Sequence, residues 1–165
     1  MMLEAFRGGY MGQFWLRTES PRPALMVGGG TGYAPLRAML RQLIAAGDRR
    51  PVTLYWGSRD AAGLYEHGWL SGLVPARRGF EYRPVLSAPD PDLPGARVGH
   101  VHAAVLEDHR DLAAYDVYAS GPPAMIEAIR AEFLAAGLPR EQLYFDSFDY
   151  APDTLARLAG RDPTA

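Results

Sequence analysis

The sequence predicts an α/β fold: a doubly wound, parallel five-stranded sheet with helices on both faces. Short apolar runs alternate along the chain with longer segments of helical periodicity, which is the pattern of strand–helix–strand units. The run 24–28 is apolar up to its final glycine, as expected for a strand buried on both faces. A cluster of glycines over 28–32 then joins this strand to a helical pattern, and glycine permits the sharp turn that such a junction needs.

The predicted elements follow one another in a regular order. Strands are predicted over 24–28, 52–57, 80–86, 115–119 and 143–145, and helices over 35–46, 64–73, 101–108 and 122–136. Gly47 and Gly137 end the first and last helices, a common role of glycine at a helix C-terminus. Pro84 lacks a backbone N–H and therefore predicts that the third strand lies at an edge of the sheet. Residues 87–99, which hold three prolines, are predicted as a loop.

Residues 1–20 differ from the rest of the chain. They are glycine-rich, then briefly strand-like, and they form either an edge strand of this domain or the last strand of another one. Ser20-Pro21-Arg22-Pro23 marks a boundary, because a proline excludes the residue before it from the helical region. We expect residues 21–150 to form the α/β domain and residues 151–165 to form a flexible tail.

The composition excludes several classes of protein. The 165 residues carry a formal net charge of -2, without the basic excess that is typical of nucleic-acid binding. No apolar run approaches the ~20 residues of a membrane span, and no signal peptide is visible. The absence of cysteine excludes disulfides and thiolate-bound metals from this chain. We therefore expect a cytoplasmic protein whose partners include neither nucleic acid nor a membrane.

The turn at 28–32 predicts a site for phosphate. A glycine-rich turn before a helix presents free N–H groups and the positive end of the helix dipole to an anion. Pro35, near the helix start, lacks only an N–H that would have no helical partner there. The spacing is neither the classical dinucleotide fingerprint nor a P-loop, so a tight turn without a ligand stays open at this point. In a parallel sheet, the strand ends at 57–60, 120–123 and 147–148 lie at the same edge.

Several of these segments match one family in order and spacing. The segment 28–35 resembles the pyridine-nucleotide loop of the ferredoxin–NADP reductase superfamily. The segment 118–126 resembles its second hallmark, with Ser-Gly-Pro-Pro in place of the usual Cys-Gly-Pro-Pro. The segment 55–59 resembles its Gly-x-Arg adenosine loop, 99–101 its Gly-x-Val helix start, and 144–148 its terminal aromatic motif. The resemblance covers most of the chain and implies a Rossmann-like NAD(P)H-binding domain.

The resemblance further implies one half of a flavin-dependent oxidoreductase. In this superfamily, hydride passes from NADH or NADPH to FAD or FMN, and electrons continue to an acceptor such as ferredoxin, an oxygenase component or free flavin. The most similar subgroup comprises bacterial NAD(P)H:flavin reductases and the reductase components of oxygenases and deoxysugar enzymes. The family's flavin-binding Arg-x-Tyr-Ser/Thr motif is missing, and residues 17–20 do not supply it. We therefore expect the flavin on a β-barrel domain outside this chain, in cis or in trans, with residues 1–20 as a remnant or the last strand of that barrel.

Two other functions are weighed against this one. A free-standing nucleotide-binding module for regulation or docking would share the phosphate site but would not turn over a substrate. A short-chain dehydrogenase that acts alone would need a Tyr-x-x-x-Lys pair, and the sequence contains no lysine. The flavin content of the natural full-length product distinguishes the first alternative from an oxidoreductase.

The resemblance also assigns individual residues. The residues expected to bind the cofactors are Gly29, Gly30, Thr31, Gly32, Pro35, Gly57, Ser58, Arg59, Asp60, Ser120, Gly121, Pro122, Pro123, Met125 and Phe148. Three of them are the catalytic candidates: Thr31 near the nicotinamide ring, Ser120 beside the hydride-bearing carbon, and Phe148 as a shield over the flavin ring. The structural alternatives are hydrogen bonding within the turn for Thr31 and core packing for Phe148.

The choice between NADH and NADPH stays open, with a lean to NADH. Arg59 suits a 2′-phosphate, whereas Asp60, an acid after the second strand, suits a free 2′-hydroxyl and hence NADH. The four histidines form no metal constellation, and no metal is expected. His100 and His102 lie two residues apart at a helix start, which predicts that they face different directions as surface or cap residues.

Overall fold

The computed structural model describes residues 14–148. The strands are β1 Ala24–Gly29, β2 Val52–Ser58, β3 Phe80–Leu86, β4 Arg97–Val98, β5 Asp116–Gly121 and β6 Leu143–Ser147. The helices are α1 Tyr33–Ala45, α2 His67–Ala76, α3 Val101–Asp108 and α4 Pro123–Ala135. All strand pairs are parallel, and the strands form one sheet in the order β4-β3-β2-β1-β5-β6. The predicted α/β class and the parallel sheet are confirmed.

The sheet has six strands rather than the predicted five. The additional strand, β4, lies within the segment 87–99 that the sequence predicts as a loop, and only Arg97 and Val98 pair with β3. A strand of two residues is too short to produce a periodic pattern, so it cannot be recognised from the sequence. Because β4 covers the end of β3, β3 is not the edge strand that Pro84 predicts, although Pro84 lies in the part of β3 that β4 does not reach.

Two apolar cores cover the two faces of the sheet. Successive residues of β1 point to opposite sides, so Met26 packs with residues of α1 and α2, whereas Leu25 and Val27 pack with residues of α3 and α4. All three side chains are fully buried, and burial of each contributes about 1.5–3 kcal/mol to folding. Helices on both faces are the doubly wound arrangement that the sequence predicts.

Helix α2 begins three residues later than the predicted span 64–73. Leu64 lies instead in the connection that follows a short 3-10 turn, Ala61–Gly63. The Asp60 carboxylate accepts a hydrogen bond from the backbone N–H of Gly63 at 3.0 Å, and such local bonds compete with helix formation. Leu64 is nevertheless buried in the core, so its place in the apolar pattern reflects packing rather than helix.

The described part of the N-terminal segment, residues 14–20, contains no strand and packs against the domain. Phe14 and Leu16 are buried in the same core as α1. The guanidinium of Arg50 donates hydrogen bonds to two backbone carbonyl oxygens of this segment, at 2.9 and 3.2 Å. Burial and these bonds together hold the segment on the sheet.

Residues 1–13 and 149–165 lie outside the described part of the chain. They include most of the predicted barrel strand and the whole predicted tail, 151–165, so the division of the chain into domains stays a prediction. Within residues 14–148, no helix is both long and apolar enough to cross a lipid bilayer.

The strand order creates a crevice at the carboxyl edge of the sheet. From β1 the chain winds in one direction through β2 and β3 to β4, and it then returns to β5 on the other side of β1. At such a switch point the loops above neighbouring strands turn to opposite faces, and ligands of open parallel sheets bind between them.

Candidate nucleotide-binding site

A cleft of about 820 Å³ opens at the carboxyl edge of the sheet. Its walls are the ends of β1, β2 and β3, the start of α3 and the first turns of α4. The residues that line it are Gly29, Gly30, Gly57, Ser58, Arg59, Asp60, Gly63, Val85, Ser87, Gly99, His100, Val101, His102, Pro122, Ala124, Met125 and Ala128. Segments that are far apart in the sequence therefore meet at one site.

Gly30 lies at the floor of the cleft in a backbone conformation that favours glycine. Its φ is 56°, and a Cβ added there would meet no atom within 4 Å. Its carbonyl oxygen accepts a hydrogen bond from the indole N–H of Trp56 at 2.9 Å. The ring of Tyr33 stacks on that indole, with centroids 4.0 Å apart. The turn is thus fixed from below, while the space above Gly30 stays open to a ligand.

Of the neighbouring glycines, Gly32 is needed for packing and Gly29 lies close to a side chain of α4. A Cβ on Gly32 would collide with the backbone carbonyl of Ser120, so α1 can approach β5 this closely only because Gly32 has no side chain. A Cβ on Gly29 would lie 2.7 Å from the sulfur of Met125. Gly29 lines the cleft, whereas Gly32 is buried beneath the turn and does not.

Two helices begin at the cleft. His100 is the residue before α3 and Pro122 the residue before α4, and both line the cleft. The first N–H groups of a helix have no partner within that helix, and they carry its positive dipole end. Neither first turn contains an acidic residue that would occupy these groups. The cleft therefore offers two helix N-termini and an open glycine turn to an anionic ligand such as a pyrophosphate.

On the β2 side of the cleft, the two charged candidates differ in how they are held. Arg59 is exposed at the end of β2. Asp60 is also exposed, but its carboxylate already caps the turn Ala61–Gly63. The carboxylate of Asp90 fastens the same turn from the loop after β3, since it accepts from the N–H of Ala61 at 2.9 Å. Hydrogen bonds from the backbone N–H groups of Ala61 and Asp92 lower the pKa of Asp90.

The prediction that His100 and His102 face different directions is wrong. Their rings stack, with centroids 5.3 Å apart and planes 26° from parallel, and both line the cleft. His100 precedes the helix with extended backbone, φ -85° and ψ 140°, so the angular spacing of helical residues does not apply to it. Nε2 of His102 lies 3.0 Å from a carboxylate oxygen of Glu132 on α4. His100 is a cap residue by position, as predicted, but its side chain makes no capping bond.

The three catalytic candidates, Thr31, Ser120 and Phe148, lie at the same edge of the sheet. Ser120 is in register with the last buried glycine of β1, and the backbone N–H of Phe148 donates to the carbonyl of Gly121 at 3.3 Å. Ser120 is fully buried, and its hydroxyl has no hydrogen-bond partner. None of the three lines the cleft, so their proximity to a nicotinamide ring stays a prediction.

Asp146 is a titratable residue of this edge to which the sequence reasoning gave no role. It lies in register with Ser120 on the neighbouring strand β6. Burial raises the pKa of its carboxyl above the usual range. The signal for it was present, because Asp146 is the central residue of the terminal aromatic motif at 144–148.

The predicted cofactor-binding residues divide between the cleft and the packing around it. Those that line the cleft are Gly29, Gly30, Gly57, Ser58, Arg59, Asp60, Pro122 and Met125. Those that do not are Thr31, Gly32, Pro35, Ser120, Gly121, Pro123 and Phe148. Ser87 and His102 line the cleft but were not predicted to bind cofactor. Ser87 directly follows a strand, so the rule that strand ends carry the site would have found it.

Comparison with known proteins identifies the family. A family model described as the oxidoreductase NAD-binding domain matches residues 26–131. The chain belongs to this family. The match runs from β1 into α4 and includes every element that lines the cleft.

Similar proteins come from several bacteria. Protein RfbI of Salmonella typhimurium is 37% identical over 143 residues, which are 85% of this chain and 42% of that protein. A probable flavin reductase of Vibrio harveyi is 37% identical over 141 residues, 84% of this chain and 60% of that protein. A CDP-6-deoxy-L-threo-D-glycero-4-hexulose-3-dehydrase reductase of Yersinia pestis is 38% identical over 143 residues, 85% and 42% of the two chains. This NAD-binding domain thus spans about two fifths to three fifths of the length of these relatives.

Solved structures show the same fold. The Amycolatopsis cytochrome P450 reductase GcoB superposes with a TM-score of 0.72 at 34% identity, over 79% of this chain and 39% of that one. The ferredoxin reductase of carbazole 1,9a-dioxygenase superposes with a TM-score of 0.70 at 28% identity, over 82% and 40%. The ferredoxin reductase-like fold that the resemblance implied is therefore confirmed.

Proposed function

We propose that this chain is the NAD(P)H-binding half of an oxidoreductase that passes hydride from nicotinamide to FAD or FMN and electrons on to an acceptor. The observation that carries the proposal is the cleft itself. An open glycine turn and two helix N-termini converge on one space at the switch point of a chain in the oxidoreductase NAD-binding family. A pyrophosphate fits such a site, because its charge meets unpaired N–H groups and the positive ends of two helices.

The chain's residues then bind and orient rather than react. The nucleotide and flavin supply the hydride chemistry when they are bound. Gly30 leaves room for the phosphates, and Trp56 holds the turn through its hydrogen bond to the Gly30 carbonyl. The nicotinamide ring would lie toward β5 and β6, where Ser120 is the last residue but one of β5 and Phe148 directly follows β6. Phe148 excludes water from the reacting face in this proposal, and Ser120 borders it.

The partners follow from the same proposal. The flavin belongs to a separate domain, in cis or in trans, because the flavin-binding motif is missing from this sequence. The acceptor is ferredoxin, an oxygenase component or free flavin, in line with relatives and structures named as flavin, dehydrase and cytochrome P450 reductases.

Calorimetric titration of the full chain with NADH and with NADPH tests the proposal. We expect saturable binding of at least one dinucleotide, at one site per chain, and competition by ADP-ribose. Binding without hydride transfer, once a flavin-binding partner domain is supplied, would instead support a regulatory or docking module. Absence of binding by both dinucleotides would overturn the proposal.

A further inference from the structure

The stacked imidazoles of His100 and His102 are the least explained feature of the cleft. Neither ring caps a helix, and both line the ligand space with centroids 5.3 Å apart. His102 is further held by Glu132, at 3.0 Å from its Nε2. The pair is therefore built into the wall of the site by two helices, α3 and α4.

The position of the pair determines which part of a dinucleotide it meets. With the pyrophosphate on the glycine turn and the nicotinamide toward β5, the adenosine half extends over the ends of β2 and β3. Ser58, Arg59 and Ser87, at the ends of β2 and β3, line the cleft together with the two histidines. NADH and NADPH differ only in this half, by the 2′-phosphate on the adenosine ribose.

The charges that face the pair are few. Among the described residues that line the cleft, Arg59 is the only permanently charged cation and Asp60 the only carboxylate. Asp60 is engaged in capping its turn. The carboxylate of Glu132, on α4, contacts the ring of His102. A 2′-phosphate would thus meet one arginine and two imidazoles, and the charge of the imidazoles depends on pH.

We propose that His100 and His102 determine the choice between NADPH and NADH in a proton-dependent way. With the pair neutral, Arg59 is the only cation that the described residues of the cleft offer to the 2′-phosphate. Protonation adds a cation beside the 2′-phosphate, so the preference for NADPH rises as the pH falls. This inference rests on the proposed function, since it concerns the adenosine end of the same site.

The physical reason is the linkage between a proton and an anion. Imidazole is the side chain that ordinarily gains its proton between about pH 8 and pH 5. Two stacked imidazoles repel each other once both are charged, whereas a phosphate beside them offsets that repulsion. NADPH binding therefore takes up protons, and NADH binding takes up fewer. One partly exposed charge pair changes the NADPH preference by about fivefold.

The test compares affinities of the full chain for NADH and NADPH at about pH 8 and about pH 6.5, where histidine changes charge. In the wild type, the ratio of the two dissociation constants should shift toward NADPH by about fivefold as the pH falls. The double variant His100→Phe/His102→Phe retains two aromatic faces but cannot gain protons. Its ratio should change only by what the 2′-phosphate's own titration contributes.

The control variant is His67→Asn. His67 lies on α2, against the other face of the sheet, and its ring is hydrogen-bonded to the hydroxyl of Tyr82. This variant should keep the wild-type pH dependence. An identical pH dependence in wild type and double variant would overturn this inference and leave the proposed function intact. If neither NADH nor NADPH binds at either pH value, the proposed function itself is overturned, and this inference with it.

A second measurement needs only the wild type, in case the double variant does not fold. Calorimetry at about pH 8, where the 2′-phosphate is already a dianion, in two buffers of different ionisation enthalpy gives the number of protons that the protein exchanges on binding. Greater proton uptake with NADPH than with NADH supports the inference. Equal uptake, or proton release with NADPH, overturns it.

Discussion

Gly30 shows how a single residue can be tested for binding separately from folding. Its φ of 56° and empty surroundings are matched by Gly47, with a φ of 65°, at the opposite edge of the sheet. Alanine at either position should lower the free energy of unfolding by about 1–2 kcal/mol, the cost of a left-handed conformation. Only Gly30→Ala places a methyl group in the space proposed for the phosphates, so only this variant should weaken dinucleotide binding, by about tenfold or about 1.4 kcal/mol. Denaturant unfolding and calorimetry measure the two effects.

Comparison of Gly30→Ala with Gly47→Ala also shows which result would contradict the prediction. If Gly47→Ala weakens binding as much as Gly30→Ala, the loss reflects destabilisation and not contact with the phosphates.

Arg59 permits a prediction about the adenosine end. If it pairs with a 2′-phosphate, Arg59→Ala should weaken NADPH binding by about 1.5–3 kcal/mol, as for hydrogen bonds to charged groups, and should leave NADH binding unchanged. Arg49, an exposed arginine at the opposite edge, is the matched control. Calorimetric titration with NADH and with NADPH measures the two binding free energies. Equal losses for NADH and NADPH would place Arg59 on the shared part of the nucleotide, and no loss would make it a surface residue.

Residue identity alone did not reveal what each glycine is for. The sequence shows where a Cβ is missing but not whether a ligand or the protein's own backbone fills the space. Gly30 leaves room above the turn, whereas Gly32 leaves room for the carbonyl of Ser120. The same limit applies to Ser120, which lies at the predicted strand end but is fully buried. The position of Ser120 in the chain predicted that it lies at the carboxyl edge of the sheet, but its burial there depends on the packing around it.

At the scale of elements, Arg97 of β4 is bonded to α3 at two places, the backbone carbonyl of Ala104, at 3.0 Å, and the carboxylate of Asp108. Asp108 at the end of α3 accepts two hydrogen bonds from the guanidinium of Arg97 on β4, at 3.0 and 2.8 Å. It also accepts one from the hydroxyl of Tyr55, at 2.7 Å. Bonding to Arg97 is the main cause that lowers the pKa of Asp108. This junction fixes the two-residue strand against α3 and β2, in addition to its pairing with β3.

The junction predicts a pH dependence of stability. Because the folded-state pKa of Asp108 is lowered, its contribution is present above the ordinary aspartate pKa of about 3.9 and is lost as the pH falls through the folded value. Asp108→Asn should therefore cost about 1.5–3 kcal/mol near neutral pH and lose less stability than the wild type on acidification. Urea unfolding across the acidic range measures both.

Glu127→Gln, an exposed change on α4, is the control for this prediction and should leave the acidic loss unchanged. A parallel decline of wild type and Asp108→Asn with falling pH would show that Asp108 does not contribute to acid sensitivity.

Long periodic elements were predictable, and short or locally bonded ones were not. The third strand, 80–86, and the helix 101–108 have the predicted bounds, because apolar periodicity decides them. Helix α2 starts late because Asp60 caps a competing turn. Strand β4 is held by the contact between Arg97 and Asp108, which lie 11 residues apart in the sequence. Both cases depend on side-chain bonds that periodicity does not record.

At the scale of the whole molecule, the sheet order makes the site. Residues near 30, 58, 87, 100 and 122 become neighbours only because β1, β2, β3 and β5 end at one edge. Strand alternation was sufficient to predict that edge, since carboxyl ends of parallel strands lie together. It could not predict the stacking of His100 and His102, which depends on one extended residue before α3.

The whole chain should bind a dinucleotide and yet contain no flavin. Hydride transfer needs an acceptor ring about 3–3.5 Å from the nicotinamide, and the proposed function places that ring on another domain. The purified chain should therefore be colourless, with substoichiometric flavin after denaturation, and it should not accelerate NADH oxidation by added FMN. Visible absorbance, flavin fluorescence and NADH consumption check these outcomes. A yellow protein with one flavin per chain would contradict the half-enzyme proposal, because the flavin site would then lie within these 165 residues.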